Sequence, residues 1–352
     1  MQAISGEPNV DGATRPFVPS SLQETTNQDG SAIKPAAAGS TAMVSTFPKN
    51  SVPRTSLFRL EGRPLRILVA EDNEVNQHVI LGMLKNLGCE TELARDGSVA
   101  VSMAVAGRHD IIFMDIQMPA LDGVAAMELI RTLLPKETCP PIIAMTAHAL
   151  AGDRERYLAL GMNDYVSKPI RPGDLTRLFE RVLPAAVAMQ PSPAASRGSV
   201  PELPNGAPTI TNVEELPILD IEQLEDLRYL PAASGADGDD QDSVGGLIQL
   251  FQTKATERME EIQHLLAVGD WPRLAEVAHS LRGSAASVGY PRMAADCKLL
   301  ELAARQKLAG QGSSSPNQEK LDGYFAQMKF HYQEADTALQ KWLADTSTAP
   351  DK

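Results

Sequence analysis

Between Leu65 and Leu183, short apolar runs alternate strictly with helix-length amphipathic segments, and this alternation restricts the possible fold more than any other feature of the chain. The strand-like runs are RILVA, TELAR, DIIFMD, PIIAMT and DYVSK, and a helix-like segment follows each of them. This order predicts a doubly wound α/β domain, with a parallel five-stranded sheet and helices on both faces. We place that domain at residues 62–185.

The second half of the chain has a different periodicity. From residue 217 onward, apolar residues recur at steps of three and four in stretches separated by short Gly- and Pro-containing breaks, which is typical of antiparallel helices packed into a bundle. We therefore predict an all-α antiparallel four-helix bundle at residues 217–345. The remaining segments are rich in Pro, Ser and Ala, and we predict a disordered leader, a flexible linker and a disordered tail at residues 1–61, 186–216 and 346–352.

Charge and cysteine content exclude several classes of function. The formal net charge of −13 over 352 residues opposes the general attraction to phosphate backbones, so we expect no nucleic-acid partner. The three cysteines are too few and too scattered for a disulfide framework. No apolar run has the length of a membrane span. These features predict a cytoplasmic location and no direct membrane contact for this chain.

Five polar side chains follow the predicted strands at their carboxyl ends, where open α/β sheets bind ligands. They are Glu71 and Asp72 after the first strand, Asp115 after the third, Thr146 after the fourth and Lys168 after the fifth. Three carboxylates without Cys or a neighbouring His favour a hard cation such as Mg²⁺. A carboxylate beside such a cation can attack a phosphoryl group, and Asp115, which ends the central apolar strand, is the candidate nucleophile.

The motifs at these positions resemble those of the receiver domain of bacterial response regulators. ILVAEDNEVNQ, MDIQMPALDG, AMTAHA and SKP occur in that order, and their key residues are separated by 43, 31 and 22 positions. The resemblance covers about 120 residues and implies the flavodoxin-like receiver fold. It also implies a phosphorylated Asp115, a cis peptide bond between Lys168 and Pro169, and a Mg²⁺ ion held by Glu71, Asp72, Asp115 and the backbone carbonyl of Gln117.

The same resemblance assigns the remaining residues of the site. Thr146 corresponds to the switch hydroxyl, Lys168 to the phosphate-binding lysine, and Tyr165 to the aromatic side chain that changes rotamer.

One of the six histidines differs from the others in its position on a helix. At 100° per residue, the apolar positions around His279 cluster in one direction, and His279 lies roughly 150° from it, so we expect a solvent-facing imidazole. Gly283 and Ala286 lie on the same predicted face, and such small residues let another protein's active site approach closely. A neutral imidazole is a good nucleophile towards an acyl phosphate, and Arg282, one turn away, could offset charge on the phosphoryl group.

The segment AHSLRGSAASVGY resembles the signature of histidine-containing phosphotransfer (HPt) domains, with Arg282 where Lys is common. A receiver followed by an HPt domain resembles the C-terminal end of hybrid sensor histidine kinases. The resemblance implies a multistep phosphorelay, in which a sensor histidine kinase, in cis or in trans, phosphorylates Asp115. His279 then passes the phosphoryl group to a downstream response regulator receiver.

Three alternatives stay open at this point. The chain could be the cytosolic C-terminal fragment of a membrane-bound hybrid kinase, or its receiver could act as a docking switch or phosphate sink without a relay. A metal-dependent hydrolase would also use a carboxylate rim. The sequence contains no Walker-type loop and no ATP lid of the histidine-kinase kind, so we do not expect the chain to phosphorylate itself from ATP.

Overall fold

A computed structural model describes residues 57–147, 153–183, 187–189, 213–230, 243–309 and 316–347 of the chain. Most of the predicted leader and linker, and the tail from residue 348, lie outside these described residues. Within the described residues, no helix is both long and apolar enough to cross a membrane.

The first domain is a five-stranded parallel sheet with helices on both faces, as predicted. Numbered along the chain, its five strands are arranged in the order 2-1-3-4-5. The central strand is fully buried because its sequence, IIFMD, is apolar except for the aspartate at its carboxyl end. The elements are β3 (Arg66–Ala70), α1 (Glu74–Asn86), β4 (Glu90–Ala94), α2 (Gly97–Ala106), β5 (Ile111–Asp115), α3 (Gly123–Leu133), β6 (Ile142–Thr146), α4 (Asp153–Leu160), β7 (Asp164–Ser167) and α5 (Pro172–Val182).

Helices α1 and α5 cover one face of this sheet, and α2, α3 and α4 contribute buried side chains to the other face. Helix α1 begins shortly after the two acidic residues that follow β3. Its first turn is capped by Asn73, whose side-chain oxygen accepts hydrogen bonds from the backbone N–H groups of Val75 and Asn76. This cap sets the direction of α1 at the edge of the sheet where the candidate site lies.

A small antiparallel sheet adds to the first domain on its N-terminal side. Strand β1 (Leu57–Leu60) pairs with β2 (Arg63–Pro64) and with β8 (Val187–Met189). Strand β1 lies in the predicted leader and β8 in the predicted linker, so ordered structure extends a few residues beyond the predicted limits of this domain. Phe58 explains part of the difference, since it is buried and its ring packs edge-on against Phe179 with centroids 5.0 Å apart.

The second domain consists of four long helices, as the periodicity predicted, preceded by shorter elements. Glycines at positive φ, Gly269 and Gly289, follow the first two of the long helices and redirect the chain. A 3₁₀ turn at Val213–Glu215, inside the predicted linker, comes before the helices. The helices are α6 (Ile221–Arg228), α7 (Ser243–Val268), α8 (Trp271–Ser287), α9 (Pro291–Leu308) and α10 (Gln318–Ser347).

The two domains share one continuous apolar cluster. It runs from the α1 and α5 face of the sheet, through the leucines of the segment around α6, into the core of the helical bundle. Leu224 and Leu227 of α6 are completely buried, and Leu230 is nearly so. The bundle therefore packs against the receiver-like domain, and α8 lies against α1. This packing decides what surrounds the candidate site.

Candidate functional site

The structure brings the predicted acidic residues together at the carboxyl end of the sheet. Carboxylate oxygens of Glu71, Asp72 and Asp115 all lie within 4.8 Å of one another. Burial, with a further contribution from the charge of Asp115, raises the pKa of Asp72, and burial raises the pKa of Glu71 to about 8. Negative charge is thus concentrated here, and the purely oxygen donor set fits a hard divalent cation such as Mg²⁺.

Lys168 provides the positive charge of this cluster. Its Nζ lies 2.6 Å from Oδ2 of Asp115 and 2.6 Å from Oε2 of Glu71, and its side chain is only 6% exposed. Burial opposes its charge, but the two carboxylates raise the pKa of Lys168 above its usual range, so it stays an ammonium. The predicted cis peptide bond between Lys168 and Pro169 is confirmed.

One carboxylate oxygen of Asp115 lies near a backbone N–H group. Oδ1 accepts a hydrogen bond of 3.1 Å from the backbone N–H of Gln117, whose carbonyl we predicted as a metal ligand. Gly123 permits this turn, since a Cβ atom there would lie 2.1 Å from the carbonyl oxygen of Asp115.

The predicted switch residues lie at the ends of β6 and within β7. The Thr146 hydroxyl is buried and lies 3.1 Å from the hydroxyl of Tyr157 on α4, a partner that sequence reasoning missed. Tyr165 is partly buried and packs against the apolar cluster on the α2 and α3 face of the sheet. Their assignment as switch residues stays a prediction.

His279 lies in the middle of α8, but its surroundings differ from those expected. Its side chain is only 14% exposed, because it contacts Glu301 within its own bundle and because α8 lies against α1 of the receiver-like domain. The expectation that the His279 ring faces solvent was therefore wrong, because the ring is largely covered when both domains are present. The helical wheel excluded His279 from the core of its own bundle, but it could not show that another domain of the same chain covers this face.

A buried carboxylate contacts one nitrogen of the imidazole. Nδ1 of His279 lies 3.3 Å from Oε1 of Glu301 on α9 and 3.1 Å from Nη2 of Arg282. When the Nδ1–H group donates to Glu301, Nε2 carries the lone pair and is the nucleophilic nitrogen. Glu301 was missed because nothing in its local sequence marks it.

Arg282 is placed differently from our expectation. It is buried, and its guanidinium forms a 3.0 Å ion pair with Glu301. Burial alone would raise the pKa of Glu301, but the hydrogen bond with His279 and the charges of Arg282 and Arg305 lower it to about 2. Arg282 therefore contacts both Glu301 and Nδ1 of His279, while Arg305 lines the cavity near the ring.

The face of α8 that carries His279 contacts the first turns of α1 through small polar side chains. The amide nitrogen of Asn73 donates to the Ser284 hydroxyl at 2.7 Å and to the backbone carbonyl of Ser280 at 3.0 Å. The Ser287 hydroxyl donates to Oδ1 of Asn76 at 2.9 Å, and the Asn76 amide in turn donates to Glu71 at 3.0 Å. Hydrogen bonds thus connect α8 to Glu71 of the acidic cluster through the side chain of Asn76.

Gly283 makes this close approach possible. A Cβ atom at Gly283 would lie 3.1 Å from the side-chain nitrogen of Asn76, which is tighter than ordinary contact. Ala286, the other predicted docking residue, is partly buried and packs against the shared apolar cluster. Gly283, which the sequence placed beside His279, therefore faces a receiver-like domain, and that domain belongs to the same chain.

A single cavity joins the two candidate residues. It has a volume of about 400 Å³ and is lined by Asp115, Lys168 and His279, together with Glu71, Asp72, Gly283 and several arginines. The arginines on the bundle side are Arg258, Arg273 and Arg305. These arginines line the bundle side of the cavity together with Glu276, and each of them also forms an ion pair with a glutamate of the bundle. Their guanidinium groups are the kind of donor that stabilises the negative oxygens of a phosphoryl group.

Glu301 provides a prediction for stability at low pH. A pKa lowered from 4.5 to about 2 corresponds to about 3 kcal/mol of stability. This contribution is fully present above pH 4.5 and is lost as the pH falls towards 2. We expect Glu301→Gln to lower the free energy of unfolding by about this amount at pH 7, and the difference from wild type to shrink below pH 4.5.

Urea titrations between pH 2 and pH 7 test this, with the fluorescence of Trp271 and Trp342 reporting on the bundle that contains both. Glu319→Gln is the matched control, because Glu319 is exposed on α10. A pH-independent difference between wild type and Glu301→Gln would contradict the assigned ion pairs.

Comparison with known proteins matches each of the two domains to a known domain family. Residues 67–180 match the response regulator receiver domain, and residues 246–346 match the Hpt domain. The chain therefore carries a receiver domain followed by an HPt domain, the combination found in the C-terminal phosphorelay part of hybrid histidine kinases.

Individual relatives are histidine kinases. The chain is 34% identical over 238 residues to the signal transduction histidine-protein kinase BarA of Escherichia coli, and 31% identical over 250 residues to the sensor histidine kinase GacS of Pseudomonas protegens. These matches cover 67% and 70% of this chain but only 24% and 25% of those kinases.

Among solved structures, the receiver domain of the sensor histidine kinase PA1611 from Pseudomonas aeruginosa, crystallised with a magnesium ion coordinated in its active-site cleft, is 46% identical. The match covers 34% of this chain and 97% of that domain, with a TM-score of 0.31.

Proposed function

We propose that this chain transfers a phosphoryl group from Asp115 to His279 as two consecutive steps of a phosphorelay. The observation that carries the proposal is that both side chains line the same cavity. Upstream, the phosphohistidine of a sensor histidine kinase supplies the phosphoryl group. Downstream, the aspartate of a response regulator receiver accepts it from His279. We further propose that this takes place in the cytoplasm, and that the domain boundaries lie near residues 62, 185, 217 and 345.

The first step is an attack by a carboxylate oxygen of Asp115 on the phosphorus of an incoming phosphohistidine. The new P–O bond forms as the P–N bond breaks, and the imidazole leaves with the bond electrons. Lys168 is already within hydrogen-bond distance of Asp115, and its ammonium is positioned to neutralise the oxygens of the transferred group. The Thr146 hydroxyl is the candidate for a further hydrogen bond to those oxygens.

The second step moves the group to His279. Nε2 attacks the phosphorus, the P–O bond to Asp115 breaks, and Asp115 regains its carboxylate. The ring acquires a positive charge as Nε2 forms its fourth bond, and the carboxylate of Glu301 at Nδ1 offsets this charge. Because the Nδ1 proton stays on the ring, the transfer needs no base.

The acidic cluster fits a Mg²⁺ ion, which we propose as the cofactor. Glu71, Asp72, Asp115 and the Gln117 carbonyl would hold it, and it would supply charge stabilisation for the phosphoryl oxygens. Lys168 is paired with Glu71 and Asp115, while burial and the charge of Asp115 raise the pKa values of Glu71 and Asp72.

The proposed order of steps is tested with a radiolabelled small acyl phosphate and the purified chain in Mg²⁺. We expect alkali-labile aspartyl phosphate first and alkali-stable, acid-labile phosphohistidine later. Asp115→Asn should remove both signals, and a chelator should slow labelling at least about 100-fold. Phosphohistidine formed by the Asp115→Asn variant would contradict the order, since it would show that His279 is labelled directly.

A receiver that only controls docking is the second candidate function. The hydrogen bonds between the start of α1 and α8 favour this function, because they couple the receiver to the bundle. A docking switch, however, requires no nucleophile at the site, whereas His279 lines the cavity of Asp115. The labelling experiment separates the two, because a docking switch forms aspartyl phosphate and never phosphohistidine.

A further inference from the structure

The segment around α6, residues 213–230, lies between the two matched domains and belongs to neither match. It nevertheless contacts both domains. On the bundle side, the Gln223 amide donates to the backbone carbonyl of Ser287 at 3.0 Å, and the backbone N–H of Asp220 donates to the carbonyl of Gly289 at 3.0 Å. These bonds attach the segment to the end of α8, the helix that carries His279.

On the receiver side, the same segment makes polar and apolar contacts. Arg171, three residues beyond Lys168, forms ion pairs with Asp220, at 2.9 Å, and with Glu222. Asn86, the last residue of α1, donates a hydrogen bond from its side-chain amide to the backbone carbonyl of Tyr229. Leu230 packs on the same helix where a glycine, Gly82, leaves room, since a Cβ atom there would lie 3.3 Å from the leucine side chain.

We propose that residues 213–230 form a cis clasp, a docking element that holds the HPt bundle on the receiver of its own chain and makes that receiver the preferred phosphoryl donor to His279. This rests on the proposed function and names the partner for its second step. A tether alone sets an effective concentration on the order of millimolar, whereas a docked segment also fixes orientation. A separate receiver must displace this contact to reach His279, because the same face of α8 is already covered.

The energetics assign most of the docking to the apolar part of the clasp. Partly exposed ion pairs contribute little, since Arg171 and Asp220 are about 30% exposed and Glu222 is 77% exposed. Reversing the charge of Arg171 is more disruptive than removing it, because the change places a carboxylate opposite two others. Arg171→Glu is therefore the variant of choice, and Asp220 still caps α6 by accepting a hydrogen bond from the backbone N–H of Gln223.

The experiment compares transfer within one chain and between two chains. Transfer in cis is measured as the conversion of aspartyl phosphate to phosphohistidine in the otherwise unaltered chain. Transfer in trans uses a donor chain with His279→Gln and an acceptor chain with Asp115→Asn. We expect Arg171→Glu to lower the cis rate at least about tenfold and to raise the trans rate, because the covered faces become accessible. Tenfold corresponds to about 1.4 kcal/mol.

The matched control is Arg177→Glu, which changes an exposed arginine of α5 whose ion pair, in the part of the chain that the structure describes, is with Asp174 of its own helix. It should leave both rates within about twofold of wild type. Adding Glu222→Arg to Arg171→Glu should restore part of the cis rate, because it replaces one of the two repulsive pairs by an attractive one.

The outcomes separate the clasp from the relay and from misfolding. Unchanged cis and trans rates in Arg171→Glu, with normal phosphohistidine in wild type, would overturn the clasp and leave the relay intact. A fall in both rates would also overturn it, since a damaged fold loses both. If wild type forms no phosphohistidine, the relay itself is wrong.

Discussion

A chain with His279→Gln accumulates label on Asp115 and forms no alkali-stable phosphate. Glutamine keeps a polar side chain of similar length at the position but lacks the nucleophilic ring nitrogen. Formation of phosphohistidine should fall to background, a loss of at least about 10³-fold. Labelling of Asp115 should proceed at the wild-type rate, because the acidic cluster and Lys168 belong to the receiver. Acid and alkali stability of the label during a time course measures both quantities.

His264→Gln is the control for this experiment, since His264 is an exposed histidine of the same bundle, on α7. It should behave as wild type. Alkali-stable label in the His279→Gln chain would show that another nitrogen accepts the phosphoryl group, and the assignment of His279 would then be wrong.

The receiver fold and the members of its acidic site could be predicted from local sequence because each signal is local. Parallel strands end at one edge of the sheet, so residues that follow β3, β5, β6 and β7 must converge there. The predicted convergence of Glu71, Asp72, Asp115 and Lys168 agrees with distances of 4.8 Å or less. The helical bundle could be predicted equally well, since its apolar residues repeat every three or four positions.

Residues that act across the fold could not be predicted in this way. Glu301 reaches His279 from α9, 22 positions later in the chain, and Tyr157 reaches Thr146 from a helix that packs over the sheet. Nothing in the local sequence of either residue marks it as part of a site. Their position depends on how helices pack, which a single sequence does not specify.

The contact between the domains was the other feature that the sequence did not specify. Asn73 carries two kinds of contact, because it caps α1 through its side-chain oxygen and donates to Ser280 and Ser284 through its amide nitrogen. Local reasoning explains the cap alone. Asn76 likewise joins Glu71 to Ser287. The residues that contact the acidic cluster therefore also hold the HPt helix, so docking and the geometry of the acidic site are coupled.

Lys168→Met should have the largest effect on the receiver itself. Methionine preserves most of the side-chain volume but removes the ammonium that lies 2.6 Å from both Glu71 and Asp115. Removing one partner of a buried ion pair leaves uncompensated buried charge, at a cost of about 3–5 kcal/mol in the free energy of unfolding. We also expect Asp115 labelling to slow at least about 100-fold, because the transferred oxygens lose a charged donor.

Urea unfolding in the absence of divalent metal and labelling in saturating Mg²⁺ measure the two effects separately. Lys85→Met on α1 is the control, because Lys85 is exposed and its replacement should change stability by no more than about 0.5 kcal/mol. Adding Mg²⁺ should recover part of the lost stability, since a divalent cation also offsets the carboxylate charge, but it should not recover the labelling rate. Full recovery of labelling by Mg²⁺ would mean that Lys168 only neutralises the acidic cluster and makes no contribution of its own to phosphoryl transfer.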